Sequence, residues 1–305
     1  MKKQRMTYHE AVMLKESTQA LDIRPDGTYV DVTYGGGGHS KEILTQLKKG
    51  KLFAFDQDRD SKDEAVEDEN LVFIHQNFKY LANFLKMHQA IPVDGILADL
   101  GISSHQIDVP ERGFSFRGEG PLDMRMNQNQ ELSARTVLNS YKAEDLEGIF
   151  REYGELREAR RLANLIVQKR SEKALETTND LIEVIHSIAP RHSENKFFAK
   201  VFQAIRIEVN GEMEALKELL SQCPKVLKDG GIMVFITYHS LEDRLVKNFI
   251  RSGHFDGHLE KDFYGNVLKP MEAVNRKPIL PTEEEIKRNG RARSAKLRVA
   301  RKIAS

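Results

Sequence analysis

The strongest constraint on this chain is a run of glycines held between a strand and a helix. Gly35-Gly36-Gly37-Gly38 follows Thr28-Tyr29-Val30-Asp31-Val32, a short β-branched stretch that reads as a buried strand. Beyond it, Ser40–Leu47 places Ile43, Leu44 and Leu47 on one helical face. Glycines let a backbone turn sharply and approach a ligand without Cβ clashes. A plain tight turn is the alternative, and the strand–loop–helix context favours a nucleotide-like ligand.

The same alternation continues for a hundred residues. Lys51–Asp56, Leu71–His75 and Val93–Asp99 read as three more strands. Amphipathic helices separate them, which predicts a parallel sheet covered on both faces. Ligands of such sheets collect at the carboxyl ends of the strands. Gly37, Gly38, Asp56, Phe78 and Asp99 all fall at that edge.

Two ligand classes compete for the edge. Asp56 lies roughly 20 residues past the loop, where a carboxylate accepts hydrogen bonds from ribose hydroxyls. It could also simply open the solvated charged run Asp58–Glu69. A dinucleotide fingerprint would need glycine where Ser40 stands. Asp31, inside the strand just before the loop, suits the ammonium or sulfonium of S-adenosylmethionine and would repel a pyrophosphate. S-adenosylmethionine is therefore favoured over NAD.

The regular pattern then breaks. From about Gly113 to Gly211 the signals are helical: Leu146, Ile149, Phe150 and Tyr153 share a face, as do Leu162, Ala163, Ile166 and Val167. Thr178 is placed to cap a third helix carrying Leu181, Ile182, Ile185 and Ile188. Phe198, Val201, Phe202, Ile205 and Val209 form a fourth stripe. Glu212–Leu227 reads as a helix, Asp229-Gly230-Gly231 as a turn, Ile232–Tyr238 as a resumed strand and Ser294–Ile303 as a last one. The expected organisation is an α/β domain of residues 1–112 and 213–305 with an all-helical insertion of residues 113–212.

Composition adds exclusions. The 305 residues include one cysteine, Cys223, which rules out an internal disulfide framework and a cysteine-based zinc site. Cys223 itself reads as a half-buried helix residue, and no metal site is expected. No apolar stretch approaches a membrane span, and Met1–Arg5 lacks a signal-peptide core. A cytoplasmic location is the expectation. Net charge is +1, so any contact with nucleic acid must come from local basic clusters. Residues 287–302 hold eight Lys or Arg and no acid, either a solvated face or a phosphate-contacting strip.

Seven motifs then carry a resemblance: DVTYGGGGHS from Asp31, DLGISSHQ from Asp99, RGFSF from Arg112, GPLDMRM from Gly120, FQAIRIEVN from Phe202, YHSLEDR from Tyr238 and RSAKLR from Arg293. In this order, from about Tyr8 to Arg298, the chain resembles the small-subunit (16S) ribosomal RNA cytosine-N4 methyltransferase family. The resemblance implies a Rossmann-like class I methyltransferase sheet, a helical insertion that helps recognise substrate, S-adenosyl-L-methionine as cofactor, and methylation of a P-site cytosine in 16S rRNA. Its partner would be that rRNA or the small ribosomal subunit, and a homodimer is compatible with it. The family's cofactor contacts fall on Gly37, Gly38, His39, Asp56, Phe78, Asp99 and Gln106. This chain departs from the family at Tyr238, often Phe, and at Asn127, often Asp.

The amine of cytosine is a poor nucleophile because its lone pair is delocalised. A site must align it with the methyl donor and accept its hydrogens. His239 and Ser240 end a neighbouring strand, and His239 is the candidate for a direct catalytic role, against a capping or pocket-shaping one. Phe114 and Phe116 are candidates for base stacking or for core. Arg157, Arg160, Arg161 and Arg206, with Arg291, Arg293, Lys296 and Arg298, are candidates for phosphate contacts. An oxidoreductase, a catalytically silent RNA-binding module and a methyltransferase of another RNA or DNA cytosine are the remaining readings.

Overall fold

The computed structural model describes residues 11–304. Met1–Arg5 and Tyr8, which entered the reading above, lie outside them. The chain divides into two compact units. One runs to Gly101 and resumes at Met213; the other is Ile102–Glu212, so it begins before the expected residue 113.

The first unit holds α1 (Leu14–Ala20), β1 (Thr28–Asp31), α2 (Gly38–Gln46), β2 (Lys51–Asp56), α3 (Arg59–Asp63), β3 (Leu71–His75), α4 (Leu81–Met87) and β4 (Val93–Asp99). The second holds α5 (Ser104–Asp108), α6 (Ala134–Ser140), α7 (Ala143–Glu152), α8 (Ala159–Glu172), α9 (Thr178–His186) and α10 (Glu194–Asn210). Then follow α11 (Glu212–Val226), β5 (Leu227–Thr237), α12 (Ser240–Ser252), β6 (Met271–Ala273), α13 (Glu283–Arg288) and β7 (Lys296–Lys302).

Seven strands form one sheet in the order β3-β2-β1-β4-β5-β7-β6. β1 to β5 pair in parallel; β7 runs antiparallel between β5 and β6. This is the expected Rossmann-like class I methyltransferase sheet. The strand order reverses between β1 and β4, which opens a crevice at their carboxyl ends. Side-chain alternation explains the two covered faces. Met233 and Phe235 of β5 pack with Val30, Phe53, Ile96 and the helices α4, α11 and α12. Ile232, Val234 and Ile236 pack on the other face with Tyr29, Leu52, Ile43 and Leu297.

Three local expectations need correction. Asp229-Gly230-Gly231 is an irregularity inside β5 rather than a turn before it. Val93 pairs with Leu227 and Gly95 with Ile232, so the extra residues bulge out at Gly230, whose φ is +74°. The cap of α9 is Thr177, one residue earlier than Thr178; its hydroxyl accepts the Asp180 amide and Asp180 accepts the Thr177 amide in return. Cys223 is fully buried on α11 rather than half-buried.

The helical unit has its own core. Phe150, Leu162, Ile166, Leu181, Ile185, Val201 and Ile205, all on the stripes read from sequence, pack with Leu138, Met124 and Phe114. Among its described residues there is no strand, only a bridge between Pro121 and Thr177. No helix among the described residues is long and apolar enough to cross a membrane.

Candidate active site

The glycine loop is built by backbone conformations that side chains resist. Gly35 and Gly37 have φ of +51° and +75°. A Cβ on Gly37 would stand 2.5 Å from the Tyr34 hydroxyl, and one on Gly38 would stand 2.8 Å from the Ala11 methyl. At Gly36 the same atom would meet nothing within 4 Å, so the loop's outer edge is open. Gly37 is the N-cap of α2 and brings no side chain to its first-turn amides.

Two carboxylates stand at this edge. Asp56 ends β2; its Oδ2 accepts the Gly35 amide at 2.7 Å and its Oδ1 accepts the Asp58 amide at 2.8 Å. Asp99 ends β4; its Oδ1 accepts the Tyr238 hydroxyl at 2.6 Å, and its Oδ2 lies 3.8 Å from His39 Nδ1. The other ring nitrogen of His39 is 3.0 Å from the Val12 carbonyl, an acceptor, so Nε2 carries a hydrogen and Nδ1 faces Asp99. Burial pushes the carboxyls of Asp56 and Asp99 up to about 6 each. Both are ionised at neutral pH and keep lone pairs for further donors.

Asp31 acts from below. It is fully buried, its Oδ2 accepts the Ser40 hydroxyl at 2.7 Å, and its Oδ1 accepts the Thr33 amide at 3.0 Å. Thr33 Oγ1 in turn accepts the Asp99 amide at 2.7 Å. The expectation that Asp31 faces a cationic ligand is therefore corrected: it has no exposed surface, and its oxygens join β1 to α2 and, through Thr33, to β4.

The remaining expected residues separate. Phe78 opens the short 3-10 turn Phe78–Tyr80 after β3, half-buried against the sheet core and fixed by Asn77, whose amide also holds the Gln57 side chain at 2.9 Å. Gln106 lies in the helical unit, closing a capping box with Ser103 at the start of α5. His239 is the N-cap of α12, and Glu242 Oε2 accepts the Tyr238 and His239 amides at 2.8 and 3.3 Å. Its Nε2 comes 3.1 Å from Glu242 Oε1, an ion-pair distance, yet makes no hydrogen bond.

Phe114 is core, and Phe116 packs edge-on against Phe198 and Phe202. Neither is a free stacking platform. Arg206 is clamped by two 2.7 Å bonds to Glu212, and Arg298 and Lys296 both bind Asp243, so these three are corrected as phosphate contacts. Sequence reasoning also missed Thr33 and Ser40 as parts of the rim, and saw Tyr238 only as a departure from the family. Only the acid-after-strand pattern hinted at what they hold.

A glycine loop into a helix, ribose-competent acids ending β2 and β4, and a reversed strand order between β1 and β4 define an S-adenosylmethionine-dependent methyltransferase of class I. The chain belongs to the MraW methylase family, whose model matches residues 6–303. It is 54% identical over 298 residues to the ribosomal RNA small subunit methyltransferase H of Parabacteroides distasonis, covering 97% of this chain and 98% of that one. The protein of the same name from Bacteroides fragilis strain YCH46 is 54% identical over 303 residues, 99% of this chain and 100% of the relative. That from Flavobacterium johnsoniae is 54% identical over 299 residues, 98% and 99%.

Proposed function

We propose that this methyltransferase moves a methyl group to N4 of a P-site cytosine in 16S rRNA of the small ribosomal subunit. The observation that carries the reading is the convergence of Asp56, Asp99 and the open glycine loop at the reversal of the sheet. Relatives sharing more than half of the sequence over nearly its whole length are named for the same substrate class. A setting in the cytoplasm follows from that substrate, and a homodimer is compatible with it.

In this proposal Asp56 accepts hydrogen bonds from ribose hydroxyls, and Gly37 and Gly38 let the cofactor lie against backbone. Phe78 offers a ring edge or face to adenine. Asp99 and His39 flank the charged end. S-adenosylmethionine, when bound, supplies a methyl group already activated on a cationic sulfur. What the protein must add is alignment and an acceptor for the amine hydrogens as positive charge grows on nitrogen. An ionised carboxylate, hydroxyl or backbone carbonyl meets that need without a strong base, since the proton can leave to water. His239, half-buried as a helix cap, then serves as a positioning residue. It fixes the turn from β5 into α12 and so the Tyr238 hydroxyl that holds Asp99.

Incubating the pure protein with assembled small subunits and with naked 16S rRNA, then mapping the modified nucleotide by mass, tests the proposal. A single cytosine gaining one methyl on its exocyclic nitrogen is the expected result. Methylation of carbon 5, of another base, or of neither RNA would overturn it.

A further inference from the structure

The surface of the helical unit carries a groove of about 640 Å³ between the N-terminal half of α8 and the chain leaving α9. Arg157, Arg160 and Arg161 line it, and all three are exposed. None makes a hydrogen bond or ion pair among the described residues. Several arginines elsewhere in this unit are occupied: Arg135 by Glu176, Arg125 by Asp123, Arg206 by Glu212, and Arg170 by the carbonyls of Leu138 and Tyr141. Three guanidinium groups that line one groove without a partner in this unit repel one another. Arg160 and Arg161 also stand in the first turn of α8, where no acid offsets them and cations oppose the helix dipole. Glu158 is the one acid in the groove wall. The arrangement costs stability and returns no contact within the unit, which an anionic occupant would offset.

The rest of the groove is suited to more than a bare phosphate. Asn164 and Gln168 continue the row from Arg160 at four-residue steps, so amide groups follow guanidinium groups along one face. From Arg160 to Gln168 the row is about 12 Å long, room for about two nucleotides. Leu165 and Ile188, both half-buried, give it an apolar floor. Amide edges beside an apolar surface recognise unstacked bases, while guanidinium groups hold the backbone between them.

Resting on the rRNA reading, we infer that the α8–α9 groove binds a single-stranded segment of the RNA substrate. Its phosphates lie on Arg157, Arg160 and Arg161, and a base packs over Leu165 and Ile188.

The test is the salt dependence of binding to a short single-stranded RNA oligonucleotide, read by fluorescence anisotropy on the full chain. It compares wild type, Arg160→Gln/Arg161→Gln and, as control, Arg135→Gln. The double variant is expected to bind about tenfold more weakly at low salt and to lose about 1.4 from the slope of log affinity against log salt. Its KM for RNA should rise while kcat at saturating RNA stays within about twofold. S-adenosylhomocysteine binding should be unchanged in every variant, which shows the other unit is intact. An unchanged slope and affinity would overturn the inference. So would weakening seen only with assembled subunits and not with the oligonucleotide, which would assign the groove to an acidic protein surface. Failure of the wild type to methylate any RNA would count against the rRNA reading alone, because the oligonucleotide readout does not depend on catalysis.

Discussion

At the residue scale, Asp99 is where the account is most exposed to test. Its carboxyl is pushed up to about 6 by burial and pulled back by His39 and the Tyr238 hydroxyl. Below that pH the carboxyl is protonated and loses its charge and one acceptor oxygen, as does Asp56, so cofactor affinity falls as pH drops through about 6 and is flat above about 7. Tyr238→Phe removes a donor that favours the ionised form, so the acid limb moves to higher pH. We expect S-adenosylhomocysteine binding by calorimetry to weaken about threefold at pH 6 and to change less than about twofold at pH 8. An acid limb that does not move would show that the hydroxyl does not tune Asp99. The glycines and acids were legible because strand, loop and helix lie next to one another in the chain. Tyr238 was visible only as a departure from the family, since its partner is 139 residues away. Asp31 was legible as an acid near the loop, but the Ser40 and Thr33 contacts that consume it were not.

At the element scale, the joint between β5 and α12 holds Tyr238 in place. Buried Glu242 accepts two amides there, and the His-x-x-Glu spacing works as a capping box. Because His239 is outside the usual Ser, Thr, Asp and Asn set, the sequence offered a capping role there only as the alternative to catalysis. Glu242→Ala leaves both amides without their acceptor and should cost about 1–3 kcal/mol. That lowers Tm by several degrees, whereas Glu283→Ala in the exposed first turn of α13 should leave it nearly unchanged. Equal melting temperatures for the two variants would contradict the assignment. The long strands and the helical stripes were legible from periodicity. β6 was not: it has three residues with one of them buried, too short to show alternation. The irregularity at Gly230 looked like a turn because glycine marks both.

At the scale of the whole molecule, the division of labour rests on which charges are already spent. Charge counting treats Arg206, Arg298 and Arg161 alike. The fold pairs the first two with Glu212 and Asp243 and leaves the third without a partner among the described residues, and no local signal separates them. The parallel sheet was anticipated from alternating elements, while its strand order and the antiparallel pairing of β7 with β6 needed the fold itself. The most direct measurement is a crystal structure with S-adenosylhomocysteine bound. The account predicts density across the carboxyl ends of β1, β2 and β4, with the ribose hydroxyls on Asp56 and the glycine loop against the ligand. Density elsewhere, or a ligand at the rim that leaves both Asp56 and Asp99 without contact, would contradict it.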